Sequence, residues 1–259
     1  MRRFFVLQTV FTAALISIGP AGAAPAAEPS TAGSDQATVR DLGAVGDLIF
    51  GRGDTRRIER ATVHDFGAVG DGTADDTAAI QEAVDAGVGD VCFPRGEYRI
   101  TKTILIELDK VGPTSLLGSG TARLVMAGPG PAVKFVGTHG GTADPKSVQP
   151  NVWQRQRMPA VDGLEIVGAH AEAVGIEAAG TMQLTVTRVN VRKALHGIHL
   201  TQRNRNVLVA NCHLYENRGV GIYLDDVNLH QINVSNCHVS YNAAGGIVVR
   251  AGNVRNLQV

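Results

Sequence analysis

Through the second half of the chain, apolar and polar residues alternate in short runs, a period of two that belongs to strands with one buried face. The runs also repeat. Val207, Val209, Cys212, Leu214, Ile222 and Leu224 recur 25 residues later as Ile232, Val234, Cys237, Val239, Ile247 and Val249. Leu184, Val186, Val189 and Val191 fill the equivalent places one unit earlier. Gly-Ile pairs at Gly175-Ile176, Gly197-Ile198, Gly221-Ile222 and Gly246-Ile247 mark the phase at spacings of 22, 24 and 25 residues. A fixed period in this range is the mark of a solenoid. No run in this half has the length and period of a helix, so three short strands per turn predict a parallel β-helix.

The repeat assigns positions. Ile198, Leu200, Ile222, Leu224, Ile247 and Val249 face inward and stack on their equivalents in coils about 4.8 Å apart. Asn211 recurs as Asn236 and Asn217 as Asn242, side chains suited to left-handed turns and to hydrogen-bonded ladders along the axis. Cys212 and Cys237 hold equivalent core positions. Parallel, inward-pointing side chains fit a stack of free thiols better than a disulfide torsion.

The first residues follow another pattern. Arg2 and Arg3, an apolar run from Phe4 to Ile18, and Ala21-Gly22-Ala23-Ala24 read as a secretory signal over residues 1–24, with twin-arginine export as one route. The mature chain is then expected outside the cytoplasm, secreted, periplasmic or on the envelope, with no membrane span. Residues 25–60 read as a linker in which 37–47 nearly duplicate 61–71, and 61–259 as one β-helix domain. Equal numbers of basic and acidic residues, 24 each, argue against a nucleic-acid partner.

Ahead of the coils, Asp65-Phe66-Gly67-Ala68-Val69-Gly70-Asp71-Gly72 runs into Thr73-Ala74-Asp75-Asp76-Thr77. Asp75 or Asp76 is placed to cap a helix whose apolar stripe is Ile80, Ala83 and Val84. Residues 91–100 then read as strand, turn, strand. This constellation resembles the N-terminal segment of the pectate-lyase superfamily, which includes rhamnogalacturonase-like, polygalacturonase-like and epimerase-like enzymes and phage tailspikes. The resemblance implies an all-β, right-handed, single-stranded parallel β-helix over about 61–259 with a short N-terminal capping helix. It makes Asp71, Asp75 and Asp76 cap and turn residues rather than catalysts.

In such proteins the core is full, so substrate lies along an outer face. The outward residues of the Gly-Ile strands are Glu177, His199, Tyr223 and Val248, followed two positions on by Ala179, Thr201, Asp225 and Arg250. Asp225, Arg250 and His199 are the candidate catalytic residues, and Glu177, Tyr223 and Asp226 the candidate substrate contacts. Arginine suits carboxylate recognition and the carboxylates suit proton transfer. The competing reading is that Asp225 and Arg250 simply pair between coils. His213 and His238 form another outward stack, read as a surface ladder, and no metal site is assigned. A calcium ion is the one cofactor the carboxylates admit. Arg203-Asn204-Arg205-Asn206 reads as a turn with solvated charge.

Polygalacturonase-like enzymes carry aspartates just before the Ile-x-Ile strand. Here those places are Ala194-Leu195-His196, Arg218-Gly219-Val220 and Ala243-Ala244-Gly245. Nor does Asp144-Pro145-Lys146 supply the Asp-Pro-His-Glu motif of alginate epimerases. By phase, Leu257 and Val259 match Ile232 and Val234, so the last coil is expected to be incomplete and open to self-association. The expected partner is a polysaccharide. The reading leans to a pectate-lyase-like enzyme acting on acidic or branched polysaccharide; the alternative is a non-catalytic glycan-binding or tailspike-like β-helix.

Overall fold

The computed structural model describes residues 60–259, so the signal, most of the linker and the near-duplicate at 37–47 lie outside the described residues. Within them the chain winds as a parallel β-helix whose coils stack three sheets. The core shows why. In the first sheet Tyr98, Leu124, Ile166, Val191, Leu214 and Val239 fall in register. In the second, Ile104, Val133, Ile176, Ile198, Ile222 and Ile247 do so. In the third the column is Val91, Leu116, Val161, Val186, Val209 and Val234. Nearly all are buried in one continuous cluster, and each such side chain contributes about 1.5–3 kcal/mol of transfer free energy.

The glycine of each Gly-Ile pair has a steric reason. A Cβ on Gly197 would stand 2.5 Å from the Gly221 carbonyl oxygen, and one on Gly175 would stand 2.4 Å from that of Gly197. Backbones of successive coils pass too closely there for any side chain.

Corners are turned by single left-handed residues, and equivalent corners use the same geometry. Gln183, Asn206, Gln231 and Asn256 have φ of 59°, 52°, 65° and 55°. Arg188, Asn211 and Asn236 form a second such series, and Lys193, Glu216 and Tyr241 a third. The asparagines therefore divide their labour. Asn211 and Asn236 turn an exposed corner, whereas the ladder is built by Asn217, whose Nδ2 donates to Asn242 Oδ1 at 2.8 Å. Asn217 Oδ1 accepts from Ala194 N at 3.0 Å, and Asn242 Oδ1 also accepts from Asn217 N.

Length changes are confined to corners. Thr201 pairs with Asp225, 24 residues on, but Arg203 pairs with Asn228, 25 on, so the extra residue enters at Asp226-Val227. A larger addition, residues 137–159, leaves the corner after Gly130–Val136. It carries the short helix Pro150–Arg155 and a small core of Val148, Val152 and Met182. Gln156, fully buried, closes it and ties it down: its Oε1 accepts from Thr138 N at 2.8 Å, and its Nε2 donates to Thr138 Oγ1 at 2.7 Å and, outside the addition, to Asp109 Oδ1 at 3.1 Å.

At the N-terminal end, helix Thr77–Asp85 buries Ile80, Ala83 and Val84 as the spacing predicts. Asp75 accepts from Thr77 N at 3.1 Å, while the buried Asp76 accepts from Val69 N and Gly70 N, fastening the Gly-rich loop. The helix also covers the sheet edge. Gln81 accepts from Leu105 N and donates to Leu105 O, and Thr77 Oγ1 accepts from Thr101 N. Cys212 is buried and Cys237 half-buried, both as free thiols, and burial pushes the Cys212 thiol up to about 12.

One expectation is corrected. The charge of Arg203-Asn204-Arg205-Asn206 is not solvated: the run lies within the strand Ile198–Ala210, which turns a corner at Asn206, and Asn204 and Arg205 are buried. The 137–159 addition lies over it. Arg205 Nη1 donates to the carbonyls of Thr142 and Ala143 at 2.9 and 3.0 Å, and Arg203 Nη1 to that of Gly141.

Candidate functional site

The second sheet carries the candidate column. Register places Lys134, Glu177, His199, Tyr223 and Val248 one above another, with Val136, Ala179, Thr201, Asp225 and Arg250 two residues along each strand. Because adjacent strands are separated by one coil spacing, opposite charges placed in register must meet.

They meet as a chain. Lys134 Nζ lies 2.8 Å from Glu177 Oε1, and Glu177 Oε2 lies 3.5 Å from His199 Nδ1. His199 Nε2 is 3.2 Å from Asp225 Oδ2, and Arg250 Nε donates to Asp225 Oδ1 at 2.7 Å. An aromatic layer flanks it. The Tyr223 ring stacks on His199 with centroids 5.3 Å apart and an 11° tilt, and the Arg250 guanidinium carbon sits 5.8 Å from the Tyr223 centroid.

Charge states follow from these contacts. Burial opposes an imidazolium at His199, but hydrogen bonds to Glu177 and Asp225 outweigh it and raise the pKa above 6.5. The hydrogen bond with His199, helped by Lys134, brings Glu177 down to about 2. Asp225 resists desolvation through Arg250 and His199 and lies below the ordinary carboxylate value. Burial raises Tyr223, keeping the phenol protonated. The column thus sets an imidazole whose charged form is favoured between two carboxylates, with a cation at each end.

Two members were not legible from the repeat alone. His196 packs on Tyr223 with centroids 4.7 Å apart, and its Nδ1 accepts from Val220 N at 3.1 Å. Burial and the neighbouring His199 lower its pKa. Lys134 belongs to a coil without a Gly-Ile pair; the alternation Val133-Lys134-Phe135 was its only signal. Asp226 does not join the cluster. It occupies a left-handed corner at φ 45°, exposed, and its side chain makes no hydrogen bond among the described residues.

Calcium does not fit the column. The two carboxylates are separated by the imidazole, and each already holds a cation. The outward stack of His213 on His238, centroids 4.9 Å apart, brings no carboxylate or thiolate with it. Among the described residues no group of three or more His, Cys, Asp or Glu is placed to hold a metal. No helix among them is long and apolar enough to cross a membrane.

Ion ladders are not unique to this face, since Arg123 bridges Glu97 and Glu165 on the first sheet and Arg192 joins the same Glu165. The second-sheet column differs in combining a titrating imidazole with a phenol and both charge signs.

Comparison with known proteins agrees with this architecture over the whole described region. Residues 61–157 match the family "Rhamnogalacturonase A/epimerase, pectate lyase-like", and residues 157–259 match "Right handed beta helix region". These matches make the chain a right-handed parallel β-helix protein whose first coils are pectate lyase-like. Among solved structures, ORF18 of Geobacillus virus E2 is similar at a TM-score of 0.54 and 22% identity, covering 84% of this chain and 43% of that one. The Agl-KA catalytic domain is similar at a TM-score of 0.52 and 16% identity, covering 78% of this chain and 36% of that one. The chain therefore spans less than half the length of either, and at these identities the likeness is one of fold. No curated protein matches the chain in sequence.

Proposed function

We propose that this pectate lyase-like β-helix is an exported protein that acts on an acidic polysaccharide laid along the second sheet, with lyase-type chemistry at Asp225, His199 and Arg250. The observation that carries the reading is His199 held between Glu177 and Asp225, with the Arg250 fork on the far oxygen of Asp225. A uronate carboxylate matches the guanidinium fork as well as Asp225 does. Substrate binding to Arg250 would release Asp225 Oδ1 and raise its basicity, since the arginine is what holds its pKa down.

The step then balances. Asp225 takes the proton α to the uronate carboxylate, the C4–O bond breaks as the C4–C5 double bond forms, and a proton goes to the leaving glycosidic oxygen. His199 as imidazolium supplies that proton, and His196 and the Tyr223 ring pack beside it. Glu177 and Lys134 orient the imidazole. Glu177 and Tyr223 remain the proposed substrate contacts, while Asp226 stands at the rim.

A second reading, a non-catalytic glycan-binding β-helix, is favoured by one observation: both nitrogens of His199 and both oxygens of Asp225 are engaged within the column. Release of unsaturated product, followed near 235 nm from several uronic-acid polymers with and without calcium, separates the two. The first reading expects activity in wild type and a loss of at least about 100-fold in Asp225→Asn and in Arg250→Ala, the scale of a removed proton-transfer group. Equal activity in all three proteins refutes the assignment. Polymer binding without product in wild type establishes the second reading.

A further inference from the structure

Around the corner from the column, between the second and third sheets, lies a cavity of about 150 Å3. Arg203, His230, Arg255, His139, Asn228 and Asn253 are among the residues that line it. No carboxylate lines it, and among the described residues none of Arg203, Arg205 and Arg255 pairs with one. Arg203 and Arg255 on the lining, with Arg205 bound to the carbonyls of the lining residues Thr142 and Ala143, repel one another without a counter-ion, and the assembly is costly until an anion arrives.

The buried donors support this. Arg205 is only 5% exposed, and its Nε has no hydrogen-bond partner. His139 is 4% exposed with Nδ1 unpartnered, and the buried Nδ1 of His230 is unpartnered as well. Buried polar atoms without partners are uncommon, and two of these belong to residues that line one cationic cavity, which points to a missing partner there. The arginines are also fixed in place, because Arg203 and Arg205 each spend Nη1 on carbonyls of the 141–143 segment. The orientation is ready before any ligand binds.

We propose that this corner binds a compact oxyanion, the carboxylate or sulfate group of an acidic glycan. The cavity has the volume for one such group with part of its sugar ring, and the two arginines and two imidazoles on its lining offer planar and bifurcated donors to oxygen. Burial, and after it the neighbouring arginines, hold His139 and His230 below the usual imidazole value, so the standing positive charge is that of the arginines. Thr201 of the column and Arg203 of the cavity are two residues apart in one strand, so a single glycan can reach both. The glycan as carrier of the charged group rests on the proposed function; the oxyanion site itself does not.

The test is isothermal titration of the full chain with glucuronate, with inorganic sulfate and with neutral glucose. Arg255→Gln and His230→Asn probe the rim, where neither side chain makes a hydrogen bond among the described residues, and thermal melting verifies their folding. Arg188→Gln, at a surface arginine paired with Asp162, controls for general charge. Saturable binding of glucuronate or sulfate but not glucose, weakened about tenfold in Arg255→Gln and unchanged in Arg188→Gln, is expected for loss of one charge-assisted contact. Glucuronate alone marks a uronate site, and sulfate alone a sulfated one. No anion binding, or equal weakening by Arg188→Gln, overturns the proposal. Polymer cleavage that fails while oxyanion binding persists refutes the column's chemistry and leaves the cavity standing.

Discussion

At the scale of single residues, the corners show how much conformational strain the coil tolerates. Lys193, Glu216 and Tyr241 share one left-handed corner although none is a residue that favours it. An L side chain there costs about 1–2 kcal/mol, only partly offset by the greater unfolded-state entropy of glycine. Lys193→Gly, at an exposed position, should therefore raise stability by about 0.5–1 kcal/mol in urea unfolding. Asn211→Ala should lower it by about 1 kcal/mol, and Asn211→Gly should be near neutral. Titration of His199 gives a second expectation. Its folded pKa is raised above 6.5, so its contribution is complete below the unfolded value and disappears as pH climbs through the folded one. Glu177, ordinarily 4.5 and here about 2, contributes above 4.5 and loses that contribution as pH falls toward 2. The stability gap between wild type and His199→Gln should be widest between these limits, near pH 5–6, and narrow at pH 9. A gap independent of pH would show that His199 matters only by packing.

At the scale of elements, register was readable because a buried face leaves little freedom. A slip of one residue would turn Ile198, Leu200, Ile222 and Leu224 outward, so Gly-Ile spacing alone aligned the second sheet. That alignment also placed Glu177, His199, Tyr223, Asp225 and Arg250 together. Lys134, on a coil without a Gly-Ile pair, and His196, just ahead of the strand that carries His199, fall outside that spacing, which is why they emerged only in three dimensions. Asn217 tests the ladder. Its side chain serves the buried Ala194 N, the Val191 carbonyl and Asn242 at once, so Asn217→Ala should cost about 2–3 kcal/mol through unpaired buried groups. Gln81→Ala should cost about 1 kcal/mol, read as a lower midpoint in thermal melting, because it strips both hydrogen bonds from Leu105.

At the scale of the molecule, the largest departure from the repeat is the addition at 137–159, and it explains the one misread segment. Nothing local to Arg203-Asn204-Arg205-Asn206 indicates burial; its cover comes from about sixty residues earlier in the chain. The addition is held by its small core, by Gln156, and by the carbonyls it presents to Arg203 and Arg205. Gln156→Ala should leave the coils folded by circular dichroism while making the chain cleavable between residues 139 and 156 in limited proteolysis. Cleavage spread evenly over the coils would show that the addition is integral to the solenoid.

The way extra residues enter, one at Asp226-Val227 and many at 137–159, bears on how such a protein changes over generations. Indels that fall at a corner alter the outline of one coil and leave the stacked sheets of its neighbours in phase. Shape beside the column can therefore be rewritten by single events while the column's own spacing is inherited unchanged. Two descendants of this chain could diverge in what they recognise without either passing through an unfolded ancestor.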